Sequence, residues 1–217
     1  MQAETISLEE TGCFSKTFLD YLSGNKKLRP FYRLRPEIES FNAAIESRSF
    51  PTERRETLTQ VLSKQYETLS ISSAVAKNIE ALGKANTFTI TTGHQLNIFT
   101  GPLYFLYKII TVIKTCNALN QAYSEYNFVP VYWMASEDHD FEEISYFLFE
   151  GEKISWNTNQ RGAVGRFDPE ELRKIAATLP QGASLFKEAY EKSTLSQSVR
   201  SYVNSLFGSE GLVVIDA

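Results

Sequence analysis

"TFTITTGHQLNIFTGPLYFLYKIITVIKTCNAL", residues 87–119, decides the architecture. Residues 87–92 are β-branched or aromatic, the composition of a strand. The pattern breaks at Gly93-His94-Gln95 and resumes at Gly101-Pro102. Pro102 then sits near the first position of a helix over 101–121. Leu103, Leu106, Ile110 and Ile113 mark one face of that helix, widened by Ile109, Val112 and Cys116. "NFVPVYWMAS" (127–136) follows and is apolar on both alternations, as a strand buried on both sides is. Strand, helix and strand in this order make a βαβ unit, which is right-handed and builds a parallel sheet.

Upstream, residues 14–85 read as helices. Ser15 caps one that stops at Gly24, and Pro36 opens a second with Ile38, Phe41 and Ile45 as its stripe. Thr52 caps a third, whose first turn is charged through Glu53, Arg54 and Arg55 and whose stripe is Leu58, Val61, Leu62 and Tyr66. A fourth stops at Gly83. Residues 1–85 are therefore expected to form a helical extension on an α/β core spanning 86–217. A hairpin inserted within 144–167 turns at Glu150-Gly151-Glu152-Lys153. Asp168 and Pro169 open a further helix, and "GLVVIDA" (211–217) reads as a short apolar strand.

The composition bounds the function classes. Of 217 residues, 42% are hydrophobic and 22% charged, with a formal net charge of −4, as in an ordinary globular protein. The basic run Lys26, Lys27, Arg29, Arg33 and Arg35 reads as a solvated stretch, so no nucleic-acid partner is expected. Cys13 and Cys116 make no disulfide framework, and a buried, reduced Cys116 fits a cytoplasmic setting. "MQAETISLEETGCF" has neither a basic n-region nor an apolar h-region. The most apolar window, 103–113, is interrupted by Lys108 and too short to cross a bilayer. No signal peptide and no membrane partner are expected.

In parallel α/β sheets, ligands bind outside the carboxyl ends of the strands. The first strand ends at Thr92-Gly93-His94-Gln95 and the second at Ser136-Glu137-Asp138-His139-Asp140, so both histidines of the chain fall at strand ends. The helix opening at Gly101-Pro102 presents unpaired N–H groups and the positive end of its dipole, which suits a carboxylate or phosphate. His94, Gln95, Asn97 and Thr100 would line that site; equally, Asn97 and Thr100 could only cap the helix. His139 among three carboxylates is a candidate acid or base. Asp138, His139 and Asp140 also admit a metal reading, but adjacent residues rarely chelate one ion together, and no metal is assigned. Neither a nucleophile elbow nor a phosphate loop is present.

The long motifs "TTGHQLNIFTGPLYFLYKIITVIK" and "VPVYWMASEDHDFEEI", with "FLDYLSGNKKLRPFYRL" before them and "GLVVIDA" after, resemble the bacillithiol biosynthesis cysteine-adding enzymes. The resemblance covers essentially the whole chain, as the N-terminal portion of such an enzyme. It implies a Rossmann-like core related to nucleotidyl transferases and condensation of L-cysteine with glucosaminyl-malate. It further implies a cytoplasmic homodimer, held by a coiled coil in full-length members, and it leaves ATP or ADP as a candidate cofactor. Members are much longer than this chain, and the better-known ones carry Thr-Gly-Gln-Gln where position 94 here is His. That difference weighs His94 towards substrate binding and the acid–base role towards His139 and Asp138, with His94 kept as the third catalytic candidate. Under this reading, Thr92, Gly93, Gln95, Asn97, Thr100, Gly101, Pro102, Tyr104, Lys108, Trp133, Ser136 and Glu137 bind substrate. A metal-assisted hydrolase and a non-catalytic anion-binding fragment are the competing classes.

Overall fold

A computed structural model describes residues 4–180 and 183–217. The first three residues of the stretch read as lacking a leader lie outside that description. By contacts the chain divides into two compact units, residues 1–48 and 49–217.

In the first unit, α1 (Lys16–Leu22) starts where the Ser15 side chain accepts from the Phe18 N–H, and it ends before Gly24, which takes a φ of +74°. The helix expected from Pro36 onward is shorter: a 3-10 turn, Ile38–Ser40, leads into α2 (Phe41–Glu46). Arg35 closes this unit on itself by donating to the carbonyls of Tyr21 and Leu22.

The second unit holds α3 (Thr52–Tyr66) and α4 (Ser73–Ala81), and then β1 (Thr87–Gln95), α5 (Leu103–Ala122) and β2 (Asn127–Ala135). The hairpin β3 (Tyr146–Phe149) and β4 (Glu152–Ser155) comes next, followed by α6 (Glu170–Thr178), α7 (Ser184–Ala189), α8 (Leu195–Phe207) and β5 (Val213–Asp216). Strands β1, β2 and β5 form one parallel sheet in that order. The change of pattern near residue 86 marks where helices give way to strands, whereas the contact boundary lies at 48/49. The reason is that Leu62, Tyr66, Val75, Ile79 and Leu82 of the third and fourth helices join the core that holds Val129, Val131 and Val213. Arg55 contributes too: it is 7% exposed and donates to the carbonyls of Leu82, Ala85 and Thr87, so it ties α3 to the start of β1 rather than facing water.

Several local expectations change, beginning with Thr52, which is the first residue of α3 while Pro51 is its cap. Strand β1 does not stop at Thr92 but pairs through Gln95, with Gly93 opposite Trp133, His94 opposite Met134 and Gln95 opposite Ala135. Pro102 is the cap of α5, not its first residue. The buried face of α5 is Phe105, Ile109, Val112, Ile113, Cys116 and Leu119, so Ile113 and the widening residues are buried as read, while Leu103 and Ile110 are exposed. A helix apolar on most sides does not fix its own phase; packing on β1 and β2 does. Phe105, Ile109, Val112, Ile113 and Leu119 each contribute roughly 1.5–3 kcal/mol on burial. The hairpin turn is tighter than expected, just Glu150-Gly151, both at positive φ as a type I′ turn requires.

Candidate active site

The carboxyl ends of the three parallel strands lie along one edge, and the row His94–Met134–Asp216 runs across it in register. Residues paired in register share a face, so His94, Tyr132, Met134 and Asp216 point to one side. On that side α5 presents Phe105, whose ring meets both His94 and Tyr132.

His94 is held from three directions. Its Nδ1 lies 2.9 Å from the Gln95 carbonyl and 2.9 Å from Asn97 Nδ2, so Nδ1 is engaged in either tautomer. Its ring packs between Tyr104, at 5.2 Å, and Phe105, at 5.6 Å. Nε2 has no hydrogen-bond partner among the described residues, leaving one nitrogen open. Tyr132 braces the strand end: its hydroxyl donates to the carbonyls of His94 and Gln95. Burial, and then the Asp216 carboxylate, push its ionisation far above the ordinary tyrosine value, so it remains a donor.

The loop from β1 to α5 carries unusual backbone. Phe99, Thr100 and Gly101 all have positive φ, at 50°, 68° and 55°. Two non-glycine residues in the left-handed region cost of order 1–3 kcal/mol each and persist only where the surroundings hold them. Here the Phe99 N–H donates to the Tyr190 hydroxyl at 2.9 Å, and the Thr100 backbone hydrogen-bonds to Tyr202. The Tyr202 hydroxyl in turn donates to the Asn97 carbonyl. Burial raises the ionisation of both tyrosines well above the usual range. The Phe99 ring is stacked by Phe147 of the hairpin and flanked by Phe186. Gly101 is required: a Cβ there would lie 2.5 Å from Asn97 Oδ1. The loop is therefore filled by its own Asn97, which is 5% exposed.

The other expected residues are placed as follows. Gln95 is buried and its Nε2 donates to the Asp140 carbonyl, joining the ends of β1 and β2. Asp138 accepts from the Asp140 N–H and shapes that loop. His139 and Glu137 are exposed, and the His139 side chain has no hydrogen bond or ion pair among the described residues. No hydrogen bond or ring contact joins His139 to His94. Ser136 is buried under Gly165, where a Cβ would come within 2.6 Å of the Ser136 carbonyl oxygen. Thr92 shares the His94 face, whereas Gly93 and Trp133 lie on the opposite one, so Tyr104 and Trp133 do not wall one pocket within the sheet face. Pro102 and Thr100 shape the loop, and Lys108 Nζ lies 5.6 Å from the Tyr104 ring centre, one turn above His94. Tyr132, Tyr190, Tyr202 and Asp216 were not singled out from the sequence. Asp216 was reachable by the strand-end rule; the tyrosines carry no local signal. Among the described residues no group of three His, Cys, Asp or Glu is arranged to hold a metal ion, and no helix is long and apolar enough to cross a membrane.

Comparison with known proteins adds the following. The family model described as "Bacillithiol biosynthesis BshC, N-terminal Rossmann-like domain" matches residues 1–217. The chain is similar to the "Putative cysteine ligase BshC" of Flavobacterium psychrophilum, 46% identical over 230 residues, covering 100% of this chain and 43% of that protein. The protein of the same name from Flavobacterium johnsoniae is 46% identical over 230 residues, with 44% of it covered. That from Bacillus cereus is 26% identical over 238 residues, with 43% covered. The chain thus spans less than half the length of these relatives.

Proposed function

Since this chain belongs to the bacillithiol biosynthesis BshC family, through its N-terminal Rossmann-like domain, we propose that it forms the substrate-binding core of a ligase joining L-cysteine to glucosaminyl-malate. The reaction makes one C–N bond: the cysteine carboxyl loses an oxygen as part of its leaving group, and the amine gives up a proton. The whole enzyme performs it in this reading, as a cytoplasmic homodimer.

The observation that carries the reading is the clamp on His94. Nδ1 is occupied, the ring is packed on Tyr104 and Phe105, and Nε2 is free beside the amino end of α5. A carboxylate placed there meets the helix dipole, the unbonded N–H groups of the first turn and one imidazole nitrogen. His94 thus positions an anionic substrate group rather than moving a proton. His139, exposed at the tip of the neighbouring loop, takes the proton from the amine, and Asp138 sets the shape of that loop. A nucleotide is not served by the β1–α5 loop: it has no glycine-rich phosphate turn, and Asn97 fills the space over Gly101. No step is routed through one.

The test uses the natural protein and measures amide formation from the two substrates. His94→Ala should raise KM about tenfold or more, and His94→Gln should restore most of it, because an amide offers the same kind of polar contact. His139→Ala should lower kcat about a hundredfold with little change in KM. If His94→Gln is as impaired as His94→Ala, or His139→Ala is silent, the assigned roles fail.

A further inference from the structure

Two strands along from His94, at the end of β5, the same sheet edge holds a cavity of about 340 Å³ between the carboxyl-terminal part of α3 and the amino end of α8. Its charge is one-sided. Lys64, Lys192 and Arg200 line it against the single carboxylate of Asp216, two positive charges in excess, in a chain whose formal net charge is −4. Neither lysine has an ion-pair partner among the described residues.

The floor of the cavity is built. Arg200 is 5% exposed, and its guanidinium donates to the Gln65 backbone carbonyl and to Gln65 Oε1. It lies 3.4 Å from Asp216, yet its buried Nε has no partner. A buried donor without a partner is costly to the fold, which marks Arg200 as a strained cation beneath the cavity. The wall is the first turn of α8, a helix of 13 residues. There the Leu195 N–H donates to the Phe167 carbonyl and the Gln197 N–H to Thr194 Oγ1. The Ser196 N–H has no partner among the described residues, and its hydroxyl lines the cavity.

We propose that this cavity binds a doubly charged oxyanion, a phosphate group or a pair of carboxylates, held by Lys64, Lys192, Arg200 and the Ser196 N–H. These residues are separate from His94, Asn97 and the β1–α5 loop, so the site stands whether or not the ligase reading does. Its place at the carboxyl edge of the parallel sheet is where such folds take ligands.

The test titrates the natural protein with sodium phosphate and, separately, with sodium malonate. Sodium chloride at equal ionic strength is the control, and the readouts are melting temperature and amide NMR shifts. Phosphate or malonate should raise the melting temperature beyond the chloride control and move the Ser196 amide resonance. Lys64→Gln and Lys192→Gln should each weaken binding about tenfold or more, as expected for one lost charge-assisted hydrogen bond. Both lysines lack ion pairs, so the unliganded variants should melt as the parent does. Response to phosphate alone identifies a phosphate group, and response to malonate alone a dicarboxylate. No shift beyond chloride with either anion, or affinity unchanged in the double variant, overturns the proposal.

Discussion

Replacing Gly101 with alanine tests how the β1–α5 loop holds His94. Two costs add. Gly101 has φ +55° and ψ −144°, a conformation essentially reserved for glycine, and forcing alanine into it costs about 1–3 kcal/mol. The new methyl also lands 2.5–2.7 Å from Oδ1, Cγ and Cβ of Asn97. Asn97 is 5% exposed and has nowhere to retreat without releasing its contacts to His94 Nδ1 and the Gln95 carbonyl, each worth about 1 kcal/mol. The sum is about 3–5 kcal/mol. At about 2–4 °C per kcal/mol for a chain of this size, the melting temperature should fall by roughly 6–20 °C. Gly151→Ala supplies the reference: its φ is +85° but nothing lies within 4 Å, so it carries backbone strain alone, about 1–2 kcal/mol. Differential scanning calorimetry on both variants separates the terms. If Gly101→Ala melts no lower than Gly151→Ala, the contact with Asn97 is not what demands glycine, and the account of the loop is wrong.

Other perturbations have equally definite outcomes. Gly165→Ala puts a methyl within 2.6 Å of the Ser136 backbone oxygen, and backbone cannot swing aside, so chemical denaturation should show a loss of about 1–3 kcal/mol. Tyr190→Phe strands the Phe99 N–H without its acceptor and should cost a similar 1–3 kcal/mol by the same measurement, although no apolar contact is removed. In thiol titration, exposed Cys13 should react in the native protein and buried Cys116 only after denaturation. Burial pushes the Cys116 thiol up to about 12 from a reference of 9.0. Its contribution to stability is therefore complete below pH 9 and is lost as pH rises toward 12. Between pH 8 and pH 10 the loss is about 1.4 kcal/mol, and Cys116→Ala should flatten that part of the stability–pH curve whatever its own cavity costs.

The βαβ unit was legible because β-branched residues, a proline near a helix start and a second apolar run fall in an order that few folds share. Strand β1 was read three residues short, since Gly93-His94-Gln95 looks like a turn on local propensity. Pairing with Trp133, Met134 and Ala135 overrides that propensity. The face of α5 was read correctly at Ile109, Val112, Ile113 and Cys116 but wrongly at Leu103 and Ile110, because the helix is apolar on nearly every side. At the site, the strand-end rule found His94 and the 136–140 loop, but not their mutual arrangement. His139 stands apart in solvent, and Trp133 falls on the opposite face from His94 because side chains alternate along a strand. The cavity over Arg200 was illegible for a simpler reason: Lys64, Lys192 and Arg200 belong to segments far apart in sequence, and only the packing of α3 beside α8 brings them together.

The tyrosines that brace the β1–α5 loop lie 91 and 105 residues downstream of the groups they hold. Synthesis is vectorial, so when β1, α5 and β2 first leave the ribosome, the Phe99 and Asn97 backbone has neither Tyr190 nor Tyr202 to meet. The sheet nucleus can pair early through β1 and β2, but the left-handed loop has to wait for α8. Long-range closures of this kind slow folding. A nascent chain arrested before residue 190 should therefore protect the amides of β1 from exchange while leaving those of Phe99 and Thr100 open. The site would then be the last part of this unit to acquire its shape.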